Sequence, residues 1–157
     1  MVADTAEAAE LYIARGSLLD AADLVRLRTA SLEEMGVLSP AERPSFVQRA
    51  QREFVQLLRE ERMAAWVLVA SSRAVGCACV LLWQRIPYPK SSVHAEISGV
   101  YVDPAYRGRG YAREMVQEAI SWARGAQARR IVLHAGPKSR TLYQRLGFVD
   151  GSEMRLP

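Results

Sequence analysis

Six consecutive residues, Arg107-Gly108-Arg109-Gly110-Tyr111-Ala112, carry the clearest chemical potential in the chain. They follow the apolar run Ile97–Val102 and open an amphipathic stretch from Tyr111 to Arg124, so a glycine-paved turn lies between a strand and a helix. Glycines let several backbone N–H groups converge on one point without Cβ atoms in the way, and the helix N-terminus adds the positive end of its dipole. Such a turn is an anion cradle suited to a phosphate-bearing ligand. Arg107 and Arg109 add permanently charged forks that match phosphate oxygens, and Pro104 keeps the preceding segment out of a helix. The turn is neither a P-loop, which ends in Gly-Lys-Ser/Thr, nor a dinucleotide fingerprint, which needs GxGxxG with an acidic residue about twenty positions on. Taken alone, Arg-Gly-Arg-Gly also suits a solvated basic turn or an RNA-binding segment.

A second block reads Ser139-Arg-Thr-Leu142-Tyr143-Gln-Arg-Leu146-Gly147-Phe148, a short helix closed by glycine at its C-cap. Leu142, Leu146 and Phe148 serve as core; Tyr143 is the position that packing leaves underused. With Arg107-x-x-Gly110-x-Ala112, this Leu-Tyr-x-x-Leu-Gly-Phe block resembles the two acetyl-CoA motifs of the GNAT family, the Gcn5-related N-acetyltransferases. The resemblance covers the whole chain. It implies an α+β (α/β three-layer) fold with a mixed, mostly antiparallel sheet, splayed at the centre and flanked by helices. It also implies that the Val93–Val102 strand bulges, with Gly99 as the candidate position, and parts from its neighbour to open a slot. Pantetheine would pair there with the backbone of Val100, Tyr101 and Val102. The pyrophosphate would meet the turn from Arg107 through Gly108, Arg109, Gly110 and Tyr111 to Ala112, and Ser139 and Tyr143 would complete the acetyl-CoA site. The family often has an asparagine seven residues before the motif tyrosine; here that residue is Gly136.

Direct acetyl transfer needs a neutral amine, a stabilised oxyanion and a protonated leaving group. An amine of pKa about 10.4 is uncharged in roughly one molecule in a thousand or fewer at neutral pH, so a base must help. Glu96, on the splayed strand just before the bulge, is the expected base, and Tyr143, which the motif sets beside the sulfur, the expected acid. A backbone N–H near Val102 is the expected oxyanion donor. His94 and His134 read as structural strand histidines, and Trp83, Tyr88 and Tyr101 read as core before acceptor lining. The implied acceptor is a primary amine on a small molecule; a protein or peptide amine, or a non-catalytic acyl-CoA-binding module, are the rival expectations.

The elements that must position these groups follow from periodicity. A strand is expected at Glu10–Arg15, then a helix from about Leu18 to Met35 with Ala21, Leu24, Val25, Leu32 and Met35 on one face. Ser39-Pro-Ala-Glu42 has the capping-box pattern, but Pro44 would break a helix begun there, so the second helix is expected to start at Pro44 with Val47, Ala50, Phe54, Leu57 and Leu58 as its stripe. Strands follow at Trp66–Ala70, Ala74–Gln84 and Val93–Val102, the last expected to be the longest. The third helix buries Ala112, Met115, Val116, Ala119, Ile120 and Ala123 and ends at Gly125; a strand at Arg130–Ala135, the Tyr143 helix and short strands near Phe148 and over Glu153–Leu156 complete the order.

Half of the 157 residues are apolar, enough for one domain over residues 1–157 that buries roughly 70% of its unfolded surface. The net charge of +4 concentrates between Arg107 and Arg145, where an anionic co-substrate is expected, so nucleic acid is not the expected partner. Cys77 and Cys79, two apart in an apolar strand, read as inert buried thiols, and no side-chain cluster has metal spacing. The acidic start Met-Val-Ala-Asp-Thr-Ala-Glu and the lack of an 18-residue apolar run lead to the expectation of a cytoplasmic protein away from membranes, with room for a homodimer.

Overall fold

A computed structural model describes residues 10–154 and 156; the acidic start and Arg155 lie outside them. The order is β1 (Leu11–Arg15), a 3-10 turn (Leu18–Asp20), α1 (Ala21–Glu34), α2 (Arg43–Arg59), β2 (Met63–Ala70), β3 (Arg73–Gln84), β4 (Val93–Val102), α3 (Tyr111–Gly125), β5 (Arg130–Leu133) and α4 (Arg140–Arg145). The five strands form one sheet in chain order. The first three pairings are antiparallel and β4 pairs with β5 in parallel, with α3 as the crossover.

Helices cover both faces, which is why β2 reads as a continuous apolar run and not as an alternation. On one face α3 buries Met115, Val116, Ala119 and Ala123 against Trp66, Leu68, Val80 and Ile97. On the other, Leu24 and Leu27 of α1, with Phe54, Leu57 and Leu58 of α2, cover Val67, Cys77 and Cys79. Ser71 and Ser72 both have positive φ, 47° and 62°, the geometry of a two-residue turn that keeps β2 and β3 in register.

Several boundaries depart from the sequence reading. β2 begins at Met63, three residues early: Met63, Ala64 and Ala65 have weak strand preference, yet they pair with Leu81, Val80 and Cys79 and are buried. β3 is the longest strand, with 12 residues against 10 in β4. Met35 caps α1 and is 58% exposed, while Leu27, outside the expected stripe, is fully buried. The Ser39–Glu42 box does form, as a turn preceding α2, which starts at Arg43 with Pro44 in its first turn. Gly125 is the last residue of α3, and the positive φ beyond it falls on Gln127. No strand forms over residues 148–154 or at 156, so among the described residues β5 is an edge.

Gly76 sits where β3 meets the end of β4, and a Cβ there would stand 3.0 Å from the Tyr101 carbonyl oxygen and 3.3 Å from side-chain atoms of Leu68 and Val102. Backbone cannot swing aside as a side chain can. Gly76→Ala is therefore expected to lower the unfolding free energy by about 1–3 kcal/mol, read from the urea midpoint.

Candidate functional site

The turn between β4 and α3 is built by local backbone chemistry. The Asp103 N–H donates to the Val75 carbonyl at 2.8 Å, holding the end of β4 against β3. Pro104–Tyr106 makes one 3-10 turn, and the chain then reverses through Gly108 and Gly110 at φ 76° and 88°. A Cβ at either glycine would meet nothing within 4 Å, so the requirement there is backbone conformation. The Gly110 carbonyl accepts the first helical bond, from Glu114 N–H at 3.1 Å. Among the described residues the N–H groups of Gly108, Arg109 and Gly110 find no backbone acceptor, and those of Tyr111 and Ala112 are helix-terminal orphans. Five successive donors thus stand at one helix end.

The two arginines of the turn divide their work. Arg107 is committed to protein: its Nε donates to the Val102 carbonyl at 2.7 Å and its two terminal nitrogens donate to Glu34 at 2.9 and 2.7 Å. Its guanidinium also lies 5.4 Å from the Tyr101 ring centre. The structure spends this fork on clamping the end of β4 to the end of α1. Among the described residues Arg109 hydrogen-bonds only to the Ala105 carbonyl, at 3.5 Å, and lies 6.0 Å from the Tyr106 ring centre, so its charge remains open to an anion.

Upstream, β4 carries the bulge at the expected glycine. Cys79 pairs with Ser98 but Cys77 pairs with Tyr101, which inserts an extra residue opposite β3, and Gly99 has φ 64°. The buried Cys77 thiol lies 3.2 Å from the Gly99 carbonyl oxygen; its neighbour Cys79 and then burial push it well above an ordinary thiol. On its other side β4 pairs with β5 only from His94↔Arg130 to Ile97↔Leu133, so Ser98–Val102 has no partner strand there among the described residues. The strands part where the resemblance puts the slot.

Glu96 and Tyr143, the expected base and acid, flank this parting on opposite faces. By register Glu96 stands opposite Leu81, on the α1–α2 face, and its Oε1 lies 3.5 Å from Nδ1 of His134. The sequence reading kept these two apart; the parallel β4–β5 register brings them together. Tyr143 lies on the α3 face, 8% exposed, in the cluster that includes Val100, Leu133 and Tyr111. Its ring meets Phe148 edge-on at 6.0 Å, and burial pushes its phenol above the usual tyrosine value. α4 is short but well closed: Gly147 at φ 93° and Phe148 donate to the carbonyls of Gln144 and Tyr143 at 3.0 Å each. Ser139 stands at its N-cap position without a capping side-chain bond, its Oγ donating back to the Gly136 carbonyl at 3.2 Å. A cavity of about 470 Å³ runs along β5 toward residues 148–153, with Tyr143 in its wall and the Arg140–Asp150 ion pair at its rim. His94 is buried against Trp83, and burial followed by Arg85 and Arg130 lowers its pKa.

A second cavity, of about 250 Å³, opens on the α1–α2 face against the bulge. Phe46, Phe54, Leu32 and Leu57 wall it, Ser98 and Gly99 form its floor, and Arg28 enters from α1. Trp83, Tyr88 and Tyr101 do not line it. Trp83 packs on His94, Tyr88 lies under the Arg129 guanidinium at 3.6 Å, and Tyr101 under Arg107. The aromatic lining comes from α2, whose stripe read as core. No three His, Cys, Asp or Glu side chains gather to hold a metal among the described residues, and no helix there is long and apolar enough to cross a membrane.

Similarity to known proteins agrees with this geometry. The sequence profile of the Acetyltransferase (GNAT) family matches residues 27–148. A glucosamine 6-phosphate N-acetyltransferase from Trypanosoma brucei brucei is 29% identical over 87 residues, covering 55% of this chain and 58% of that protein. An uncharacterized N-acetyltransferase from Methanocaldococcus jannaschii is 30% identical over 101 residues, 62% of this chain and 44% of that protein. The matches thus span about half the length of these curated relatives. A predicted acetyltransferase from Clostridium acetobutylicum, solved with acetyl-CoA, superposes with TM-score 0.85 at 21% identity, covering 94% of this chain and 96% of that one; at this identity the likeness speaks for the fold.

The Glu34–Arg107 clamp has a titration signature. The Arg107 hydrogen bond, more than its charge, holds the Glu34 carboxyl below the usual glutamate range. A depressed carboxylate contributes its stability in full above the unfolded value near 4.3 and loses it as pH falls through the lowered folded value. Both side chains are about half exposed, so the contribution to stability is small. In a carbon-detected NMR titration Glu34 should titrate below the ordinary glutamate value, and Arg107→Gln should raise its midpoint toward that value. An unchanged midpoint in that variant would dissolve the clamp.

Proposed function

The chain belongs to the Acetyltransferase (GNAT) family, and on that premise we propose that it is an acetyl-CoA-dependent N-acetyltransferase that moves the acetyl group directly to a primary amine on a small molecule. One observation carries the reading: β4 bulges at Gly99, loses its partner strand after Ile97 and runs directly into the five free amides from Gly108 to Ala112. A ligand with an extended amide-bearing arm and a pyrophosphate at its end complements both halves. Its arm pairs with the backbone of Val100, Tyr101 and Val102, and its phosphates take the amides of the turn with Arg109 beside them. The relative from Clostridium acetobutylicum solved with acetyl-CoA supports this ligand.

The chemistry is then staged across the sheet. The amine enters from the α1–α2 face, where Glu96, flanked by His134, accepts its proton. Nitrogen attacks the thioester carbonyl, a C–N bond forms and the C–S bond breaks. The departing sulfur takes a proton from Tyr143 on the α3 face, whose burial raises its pKa and favours the protonated phenol. A backbone N–H near Val102 faces the developing oxyanion.

Release of free thiol from acetyl-CoA against a panel of amines tests the reading, together with a rise in melting temperature on adding CoA. Gly110→Val forces a β-branched residue to φ 88° and should weaken CoA binding; unchanged affinity would move the phosphate site elsewhere.

Two variants separate the proton-transfer roles. Tyr143→Phe should lower kcat by about 10²-fold with CoA affinity within a few-fold, whereas lost affinity with retained turnover would make the ring a packing wall. Glu96→Gln should be slow at neutral pH and partly rescued as the amine deprotonates at higher pH. A uniform loss at every pH would assign Glu96 to positioning.

A further inference from the structure

The cavity on the α1–α2 face carries more than a place for an amine. Arg28, half-buried on α1 one turn before Leu32, lines a mostly apolar chamber whose other charged residue, Glu53, is paired with Arg49. Other arginines nearby are spent: Arg26 on Asp23 and the Ala74 carbonyl, Arg107 on Glu34, and Arg49 on Glu53 at the cavity rim. Among the described residues Arg28 has no carboxylate within salt-bridge distance and no hydrogen-bond acceptor. A guanidinium at a cavity wall with none of its five donors taken by the protein can bind a ligand anion bidentately.

The remaining walls define the rest of the ligand. Phe46, Phe54 and Leu57 offer apolar surface and few polar groups that a polyhydroxylated sugar would need. At about 250 Å³ the chamber lies below the usual range for drug-sized ligands, about 300–1,000 Å³. Leu81, in its lining, pairs across the sheet with Glu96. Positive charge at Arg28, an apolar middle and a carboxylate on the slot side match a small zwitterion laid lengthwise.

Building on the acetyltransferase reading, we propose that the acceptor is a hydrophobic amino acid, its carboxylate held by Arg28, its side chain against Phe46 and Phe54, and its amine directed to Glu96 and the bulge at Gly99. Arg28 is then the specificity-determining residue.

The test uses the whole protein saturated with CoA. Calorimetry with L-phenylalanine and L-leucine is compared with phenylalaninamide, which keeps the amine and the ring and removes the negative charge, and with glucosamine 6-phosphate, an anionic but hydroxyl-rich amine. The amino acids should bind at least about 10-fold more tightly than the amide, and Arg28→Gln should erase that preference, weakening the amino acids by about 10- to 100-fold, with Arg28→Lys recovering part of it. CoA affinity, measured separately on each variant, should stay within a few-fold, which shows the variant is folded. Equal binding of acid and amide, tightest binding of glucosamine 6-phosphate, or amino-acid binding unaffected by Arg28→Gln would each overturn the proposal. Thiol release with the same panel is read alongside. Amino acids that bind without any thiol release would defeat the acetyltransferase reading while leaving the Arg28 pocket in place, and thiol release with amines other than amino acids would do the reverse.

Discussion

Unpaired backbone in the middle of a sheet is the constraint on which the rest of this structure depends. From Ser98 to Val102, β4 keeps its partner β3 and has no partner on the β5 side among the described residues, because β5 runs parallel only as far as Leu133. Buried peptide groups left without partners cost about 1–3 kcal/mol each, so an interior sheet opens only where something else will bond. The bulge at Gly99 produces the opening by adding one residue to β4 and increasing its local twist, and only a residue tolerant of φ near 64° does so without strain. The Cys77 thiol beside the bulge carbonyl shows how closely β3 is packed beneath it.

The segment after β4 is arranged to keep that opening in line with the glycine turn. The Asp103 N–H on Val75 and the Arg107 fork on Val102 and Glu34 hold the exit of β4 at two points, one to β3 and one to α1. In the proposed site the anion is met by neutral backbone donors, with Arg107 as scaffold, its charge already balanced by Glu34, and Arg109 beside the turn.

Opening the sheet also joins two compartments that a closed sheet would separate. Tyr143 belongs to the cluster under α3, Glu96 and the small cavity to the side under α1 and α2. In the proposed reaction a molecule reaching from one to the other passes at the parted strands, between a buried phenol and a carboxylate about one third open to solvent. Proximity of this kind needs rigid walls, and the two apolar clusters, one on each face, supply them.

Much of this was legible in the residues themselves. The turn at 107–112, the bulge glycine, the C-cap at Gly147 and the α3 stripe are local: each rests on φ preference, hydrogen-bond satisfaction or helical period, properties that a few neighbouring residues determine. The mixed sheet flanked by helices emerged once the two motifs were read together, although seven strands were expected and five form among the described residues. Pairings between distant segments were not legible. The sequence could not show that Arg107 is spent on Glu34, 73 residues away, that Glu96 meets His134, that Met63–Ala65 extends β2, or that Arg28 stands alone above the bulge with Phe46 and Phe54 around it. The residues beyond α4, expected as strands, are not paired. In each case the deciding quantity is strand register or helix placement on the sheet, and that depends on packing across the whole domain, which local preference does not encode.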